Sequence, residues 1–330
     1  MKKVLITGGA GFIGSHLADY LIEHGSEVWV VDDLSTGSLD NLRPHPRLHV
    51  VIDSVTNEAV MNELIHRVDH VYHLAAVVGV RLVVDSPVRT LEVNLRGTEV
   101  VLKLAHRFGK RVLLASTSEV YGRQHENRPL SEDSERIYGP TVVGRWSYAA
   151  AKAIDEFLGL AYHRERGLEV VITRFFNTVG PRQTGRYGMV IPRFVEAAIN
   201  GKPIEVHGHG RQCRSFTYVG DAVRAITRLM ASRDAVGEVI NIGNGAETTI
   251  IDLARRVKEL TSSDSEIRFI SYEEAYGAGF EDMMFRTPCT RKLQQFAGFT
   301  PSVPLDEILR QVIEDRRMRN LSPALLEAAS

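Results

Sequence analysis

The chain has 330 residues, of which 44% are hydrophobic, so it is long enough to bury a large core and to form one large domain with a smaller one. Its 40 Lys and Arg residues balance 41 Asp and Glu residues, which removes any general argument for a nucleic-acid or anionic-membrane partner. No apolar run approaches membrane-spanning length, and the distant Cys213 and Cys289 predict neither a disulfide framework nor a metal site. Because the first strand begins directly at the N-terminus, we expect no signal peptide and a cytoplasmic location.

The first 32 residues predict a strand, a glycine-rich loop, a helix and a second strand. A short apolar run at 4–6 precedes Gly8, Gly11 and Gly14, and a helical pattern starts at once. Glycines at such a turn let the backbone approach a pyrophosphate, whose charge lies at the positive N-terminus of the helix. The pattern predicts a dinucleotide site with contacts from Gly8, Gly11, Phe12, Ile13 and Gly14.

An acidic residue at the end of the second predicted strand indicates which dinucleotide binds. The Asp32 carboxylate can hold both hydroxyls of an adenosine ribose but would repel a 2′-phosphate, so it favours NAD over NADP. The third strand ends next to a further carboxylate, that of Asp53. The fourth strand ends at Leu74, Ala75 and Ala76, where small side chains leave space beside a cofactor. We predict that all five residues contact NAD.

Strand-like and helix-like stretches alternate through the first half of the chain, which is the signature of a doubly wound parallel α/β sheet of the Rossmann type. Further strands are predicted at 49–52, 71–74, 111–115 and 169–175, with helices at 57–68, 87–108 and from Ser147 onward. Beyond residue 181, helices at 191–200, 221–231 and 250–260 alternate with strands at 204–206 and 239–242. We predict a dinucleotide-binding domain over 1–180 and a substrate-binding lobe over 181–330 that returns some elements to the sheet.

A tyrosine and a lysine stand four residues apart at the start of an alanine-rich helix. Tyr148 and Lys152 therefore lie on one helix face, about one turn apart. A phenol is a poor base at neutral pH because its pKa is about 10, but a nearby ammonium and the positive charge of an oxidised nicotinamide favour the phenolate. The fifth strand runs into Ser116, Thr117 and Ser118, whose hydroxyls can bind a reacting sugar oxygen. An ordinary amphipathic helix and a serine-threonine turn are the alternative interpretations.

Several motifs together resemble the extended short-chain dehydrogenase/reductase family, whose members epimerise, dehydrate or decarboxylate nucleotide sugars. They are the glycine loop at 7–14, His73-Leu74-Ala75-Ala76, Asn94-Leu95-Arg96-Gly97-Thr98, the stretch 116–122, and Tyr148 with Lys152. The resemblance implies that Tyr148 removes the C4 hydroxyl proton, that Lys152 lowers the tyrosine pKa and binds the nicotinamide ribose, and that Thr117 binds the C4 oxygen. It also implies Asn94 as an NAD contact, and a homodimer through a four-helix bundle of segments 87–108 and 147–166.

The residues after the threonine distinguish among the family's reactions. Dehydratases carry an acid before the glutamate to protonate the leaving hydroxyl, whereas this chain reads Ser118-Glu119, which disfavours dehydration. The Thr-Ser-Glu sequence and the stretch 276–282 resemble UDP-glucuronate decarboxylases, in which a 4-ketone makes the C5 carboxylate a β-keto acid. By this resemblance Ser118 is a catalytic residue, and Glu119 and Arg214 prepare the carboxylate and the later reprotonation. An ion pair of Arg214 with Asp221 or Glu205 is the structural alternative.

A UDP-sugar 4-epimerase is the competing interpretation. Tyr-Ala-Ala-Ala-Lys at 148–152 is more epimerase-like than the acidic spacer usual in UDP-xylose synthases. Glu119 argues against an epimerase, because epimerases usually carry a small or neutral side chain there. A non-catalytic NAD-binding module is a remote alternative, since such a chain should lack the tyrosine and lysine pair.

Four residues are predicted to bind a UDP-sugar substrate. Asn177, just past the sixth strand, matches the family asparagine that binds the nucleotide diphosphate. Arg186 lies in a stretch that would cover the substrate, while Arg214 and Arg286 supply guanidinium groups suited to a diphosphate or a carboxylate. Cys289 stands where the family usually has aspartate, which leaves the position of Arg286 open. The scattered histidines show no metal spacing, so we expect no metal.

Overall fold

The fold is built on one parallel β-sheet. A computed structural model of the chain describes residues 1–124, 126–186, 188–277 and 282–327. Its strands are β1 (Lys3–Thr7), β2 (Glu27–Asp32), β3 (Leu48–Ile52), β4 (His70–His73), β5 (Arg111–Thr117), β6 (Val170–Phe175), β7 (Thr178–Val179), β8 (Ile204–His207), β9 (Cys213–Ser215), β10 (Thr217–Tyr218), β11 (Val239–Ile242), β12 (Glu247–Thr249), β13 (Ile267–Ile270) and β14 (Phe285–Arg286). Seven of them form the central sheet in the order β11–β6–β5–β4–β1–β2–β3, with every neighbouring pair parallel.

Helices connect the strands and cover the sheet. They are α1 (Phe12–Glu23), α2 (Glu58–Arg67), α3 (Val80–Asp85), α4 (Pro87–Arg107), α5 (Ser147–Arg166), α6 (Val190–Ile199), α7 (Val219–Ala231), α8 (Ile250–Thr261), α9 (Tyr272–Tyr276), α10 (Arg291–Ala297) and α11 (Leu305–Glu327). Short 3-10 helices lie at Leu39–Asn41, Ser118–Tyr121, Gly144–Trp146 and Arg233–Ala235. The elements predicted from the sequence agree with these bounds to within two residues, and the Rossmann-type α/β fold is confirmed.

Side chains of the central strands alternate between two hydrophobic cores, one on each face of the sheet. In β1, Val4 and Ile6 pack with residues of α1 and α7, whereas Leu5 packs with residues of α2 and α4. Because helices cover both faces, the strands are apolar on both sides, which explains their short uninterrupted hydrophobic runs. Ligands of such sheets bind beyond the carboxyl ends of the strands.

The second half of the chain forms a further core and also extends the sheet. Residues of α6, α8, α11 and β8 share a hydrophobic cluster that includes Phe194, Leu253 and Ile308. In contrast, α7 packs on the central sheet, and β11 pairs with β6 at the edge of that sheet. This agrees with the prediction that the second half returns some elements to the sheet. The division at residue 180 stays a prediction. Among the described residues, none of the helices is both long and apolar enough to cross a membrane.

Candidate active site

A cavity of about 590 Å³ opens at the carboxyl ends of the strands. Its wall combines the loop after β1, the ends of β2, β4, β5 and β6, and side chains from the second half of the chain. Every site residue predicted from the sequence lines this cavity except Asn94 and Arg186. The topology therefore brings together residues that are more than 250 positions apart in the chain, since Gly8 and Arg286 line the same space.

The glycine loop makes one end of the cavity a close backbone surface. Gly8 has φ of 70°, and a Cβ built there would lie 2.9 Å from the Ala75 backbone. A Cβ on Gly14 would lie 2.2 Å from the Gly8 carbonyl oxygen, so a side chain cannot be accommodated at this helix start. The loop thus presents bare backbone and the N-terminus of α1 to the cavity, as a dinucleotide pyrophosphate requires.

Asp32 lies beside this surface at the end of β2. Its carboxylate accepts hydrogen bonds from the backbone N–H groups of Ala10, at 3.0 Å, and Leu34, at 2.9 Å. A Cβ on Gly37 would come within 3.1 Å of Asp32 Oδ1, so glycine keeps that side of the carboxylate open. Burial raises the pKa of Asp32, which the two backbone hydrogen bonds oppose. The residues fit the adenosine end of NAD, with Asp32 as the group that would hold the ribose.

Two other predicted cofactor contacts have different surroundings. Asp53 lines the cavity, and its carboxylate accepts hydrogen bonds from the Ser54 backbone and the Asn57 side chain. Asn94 is buried behind the wall, where its side chain bonds both the N–H and the C=O of Val77, at 2.8 and 3.2 Å. The structure therefore places Asn94 behind the loop after β4, which it supports; direct contact with NAD stays a prediction.

Tyr148 and Thr117 meet at the centre of the cavity. Tyr148 begins α5, is buried, and its hydroxyl is hydrogen-bonded to the Thr117 side chain at the end of β5. Burial and the negative charge of Glu119 raise the pKa of Tyr148, although the Thr117 hydrogen bond opposes the shift. Lys152 does line the cavity, but its ammonium lies 2.9 Å from the carboxylate of Asp155. Within the chain alone, burial and Glu119 therefore keep the pKa of Tyr148 raised; that Lys152 together with oxidised NAD lowers it stays a prediction.

A buried cluster around Glu156 joins α5 to β6 and to the end of β5. The Glu156 carboxylate accepts from Arg174 Nε and Nη2 at 2.9 and 2.7 Å, and both side chains are about 1% exposed. The Ser116 hydroxyl donates to the same carboxylate at 2.5 Å. Because Ser116 precedes Thr117 and Glu156 is on the helix of Tyr148, this cluster sets the spacing of the two reacting side chains.

Glu119 lies between two arginines beside Tyr148. Arg145 Nη1 is 2.5 Å from one carboxylate oxygen of Glu119, and Arg286 is hydrogen-bonded to the other. Arg286 also donates to the Asn177 side chain, so its position is well defined although Cys289 replaces the expected aspartate. Burial alone would raise the pKa of Glu119, but the two guanidinium groups outweigh it and lower the pKa to about 2. Glu119 is therefore ionised at working pH and is not a proton donor.

Of the other two predicted substrate residues, Arg214 lines the cavity and Arg186 does not. Arg214 forms an ion pair with Asp282 at 2.9 Å, and neither of the partners considered from the sequence is used. Asp221 instead pairs with Arg224 at 2.9 Å. Arg186 is exposed and does not line the cavity. Residue 187, in the stretch expected to cover the substrate, and residues 278–281, in the stretch that resembles UDP-glucuronate decarboxylases, lie outside the described residues.

Sequence reasoning missed three charged groups at or next to this site. The role of Arg145 opposite Glu119 appears only in three dimensions, although Arg145 lies three residues before Tyr148. Asp155, three residues after Lys152, could have been found from the helical spacing. Arg193, which lines the cavity, donates to the ring of His207, whose pKa is lowered to about 4 by burial and by this arginine. Within the described residues, no group of three His, Cys, Asp or Glu side chains is placed to hold a metal.

Comparison with known proteins agrees with this geometry. Residues 4–243 match the model of the NAD dependent epimerase/dehydratase family, which confirms the predicted cofactor. The chain is 41% identical to the UDP-N-acetyl-alpha-D-glucosaminuronate decarboxylase of Bacillus cytotoxicus, over 95% of this chain and 97% of that protein. It is 40% identical to UDP-glucuronic acid decarboxylase 1 of Xenopus tropicalis, over 94% of this chain and 71% of that protein. A solved UDP-glucose 4-epimerase of Thermotoga maritima superposes with a TM-score of 0.87 at 32% identity, covering 96% of this chain and 99% of that one.

Proposed function

Because the chain belongs to the NAD dependent epimerase/dehydratase family, we propose that it is a UDP-hexuronate decarboxylase. The substrate would be a UDP-linked hexuronic acid, either UDP-glucuronate or its 2-acetamido analogue. Relatives of about 40% identity that match 94–95% of this chain carry these two activities by name, whereas the 4-epimerase superposes at 32% identity. The predicted enzyme class, an NAD-dependent enzyme of nucleotide sugars, is confirmed by the same relatives.

The observation that carries the proposal is the group formed by Arg145, Glu119 and Arg286 next to Tyr148 and Thr117. Two guanidinium groups against one carboxylate leave a net positive charge in a buried pocket wall. Guanidinium groups suit planar carboxylates, so this wall can hold the sugar's C5 carboxylate close to the reacting C4. Ser118 stands where a dehydratase carries the acid that protonates the leaving hydroxyl, and an ionised Glu119 cannot take over that role.

The reaction then follows from the positions of the protein groups. NAD, when bound, supplies oxidation of C4 by accepting a hydride. Tyr148 takes the proton of the C4 hydroxyl, and Thr117 holds the oxygen as it becomes a ketone carbonyl. The C5–carboxylate bond breaks, carbon dioxide leaves, and the electron pair passes onto the ketone as an enolate. Tyr148, which now carries the C4 proton, and Thr117 stabilise the enolate oxygen by donating hydrogen bonds, and C5 then takes a proton from solvent water.

We also infer a homodimer through α4 and α5, which pack side by side in the chain. Large apolar side chains are exposed on these two helices, namely Val88, Ile154 and Phe157. Apolar side chains concentrated on one surface mark an interaction site more often than isolated ones do. A cytoplasmic location stays a prediction, which the two free thiols of Cys213 and Cys289 support.

A direct test incubates the protein with UDP-glucuronate, with its 2-acetamido analogue and with UDP-glucose, and follows the product masses. We expect one or both uronates to lose the mass of carbon dioxide, while UDP-glucose, which has no carboxylate, keeps its mass. Tyr148→Phe serves as the matched inactive protein. A uronate of unchanged mass and inverted C4 configuration would contradict the proposal and favour the 4-epimerase.

The 4-epimerase is the second candidate because its fold agrees along the whole chain. An epimerase must let the ketone turn within the pocket before the hydride returns. The Arg145–Glu119–Arg286 group opposes such turning for a uronate, because it would hold the carboxylate in one orientation. For a neutral hexose the group offers no such restraint, so the UDP-glucose reaction is the one in which epimerisation should be sought.

A further inference from the structure

Asp155 is a buried carboxylate that the reaction described above does not use. It lies on α5, three residues after Lys152, and its Oδ2 is 2.9 Å from Lys152 Nζ. Both side chains are at most 3% exposed. The second carboxylate oxygen, Oδ1, is buried and makes no hydrogen bond to the described residues. Because a buried ion pair with incomplete hydrogen bonding contributes little to stability, packing alone does not account for a charge at this position.

A line of buried polar contacts joins Asp155 to the cofactor end of the cavity. The Asp155 carboxylate lies beside the side chain of Thr98, on α4. Thr98 Oγ1 is 3.3 Å from His73 Nε2, and His73 Nδ1 is 2.8 Å from Thr7 Oγ1. Thr7 Oγ1 in turn accepts from the Ala75 backbone N–H, at 3.1 Å. The carboxylate is therefore anchored to the two strands that carry the NAD-binding loops, not only to its own helix.

We propose that Asp155 is a positioning residue that holds the Lys152 ammonium at the wall of the cofactor cavity and partly neutralises its charge toward Tyr148. The lysine stem is flexible, so without an anchor its ammonium can occupy several positions along the cavity. With Asp155 in place, Tyr148 interacts with an ion pair, which stabilises its phenolate less than an unpaired ammonium would. The inference rests on Tyr148 as the base and not on decarboxylation, so it applies equally to an epimerase.

The charged groups around the two residues determine the sign of the effect. Tyr148 faces Glu119 from the end of β5 and Arg145 from the preceding 3-10 helix, while Asp155 and Lys152 act on it from its own helix. Asp155 itself faces Lys152, the neighbouring Glu156 and, from α4, the hydroxyl of Thr98. Beyond Thr98, His73 is uncharged, because burial and the charge of Lys152 lower its pKa to about 3. Removing the Asp155 charge therefore removes one negative charge near Tyr148 and favours the phenolate.

The test compares Asp155→Asn with the wild type as NAD-loaded enzymes. Asparagine keeps an acceptor for Lys152 and removes only the charge. We expect the acid limb of the kcat/KM profile to move to lower pH by about one unit, the low end of shifts caused by one nearby charge. The same shift is expected in the titration of the isotope-labelled tyrosine Cζ resonance of Tyr148, assigned by its loss in Tyr148→Phe. Asp155→Ser, which removes the charge with a smaller side chain, is measured in parallel so that the result does not depend on one variant folding.

Thr98→Val is the structural control. It removes the hydroxyl beside the same carboxylate and the contact of that hydroxyl with His73, but it keeps the Asp155 charge, so thermal stability should fall while the Tyr148 titration stays in place. An unchanged or raised Tyr148 pKa in both Asp155 variants would overturn the proposal, as would an equal shift in Thr98→Val. The resonance titration needs no substrate, so it still decides the role of Asp155 if no UDP-uronate is turned over, an outcome that would refute only the proposed function.

Discussion

Glu119 and Tyr148 show how one residue's charge controls another's chemistry in this site. Two arginines keep Glu119 ionised, and this fixed negative charge, together with burial, raises the pKa of Tyr148. Without cofactor, Tyr148 is therefore a neutral phenol. A cationic nicotinamide is the group best suited to reverse this, so the base becomes active only when oxidised cofactor is present.

Tyr148→Phe should abolish turnover and leave NAD bound. The substitution removes the hydroxyl that accepts the C4 proton, whereas Asp32 and the glycine loop at the other end of the cavity are untouched. A loss of at least about a hundredfold in kcat is expected for a missing general base. Bound NAD is measured by absorbance after release from the protein.

The matched control for that experiment is Tyr162→Phe. Tyr162 lies on the same helix but does not line the cavity, so its loss should leave kcat close to the wild type. Wild-type turnover in Tyr148→Phe would end the proposed mechanism.

Glu119→Gln should reduce stability in a pH-dependent way. The folded-state pKa of about 2 lies below the ordinary 4.5, so the ionised form stabilises the fold above about pH 4.5. This contribution, about 3 kcal/mol at about 1.4 kcal/mol per unit, is lost as pH falls toward 2. Urea unfolding of both proteins at about pH 7 and about pH 3 should give a larger difference at the higher pH.

An exposed carboxylate provides the comparison for Glu119. Glu126 pairs with Arg128 at the surface, so Glu126→Gln should change stability little at either pH. If the Glu119→Gln difference is the same at both pH values, Glu119 is not held ionised by its arginines.

At the scale of elements, β5, β6 and α5 act as a unit, because Glu156 on α5 pairs with Arg174 on β6 and accepts a hydrogen bond from Ser116 on β5. Glu156→Gln leaves a buried guanidinium without its counter-charge, and such losses cost about 3–5 kcal/mol. It should also lower kcat, because Ser116 loses its acceptor next to Thr117. Urea unfolding measures the first effect. Glu58→Gln, which breaks an exposed pair with Lys103, should have little effect, and an equal loss in both variants would contradict the argument.

The elements and the site differ in how far the sequence could predict them. Strand and helix bounds followed from hydrophobic periodicity, and Gly8, Asp32, Tyr148 and Lys152 followed from spacing along single elements. The ion-pair partners of Glu119 and Arg214 could not be predicted from the sequence, because Arg286 and Asp282 come from a distant segment whose path depends on tertiary packing. Local spacing therefore predicted which residues reach the cavity, but not which charges meet there.

At the scale of the whole molecule, the cavity depends on both halves of the chain. The sheet supplies the surface for NAD, and the second half supplies Arg193, Arg214 and Arg286. Because α7 and β11 return to the sheet, the second half is tied to the first through a shared core. Arg214 and Arg286, which we propose bind the substrate, lie on β9 and β14 of a separate small sheet, so their position relative to Tyr148 depends on this tie between the two halves.

The proposed dimer makes a prediction about which exposed apolar side chains matter. Phe157 on α5 is 58% exposed and Phe269 on β13 is 54% exposed. The two side chains are therefore about equally exposed, but only Phe157 lies on the proposed interface. If α4 and α5 form the dimer interface, Phe157→Asp buries a charge between subunits and should yield monomers, because an unpaired buried charge costs several kcal/mol. Phe269→Asp should leave the dimer intact. Light scattering coupled to size-exclusion chromatography measures both masses, and a monomeric wild type, or equal behaviour of the two variants, would rule out this interface.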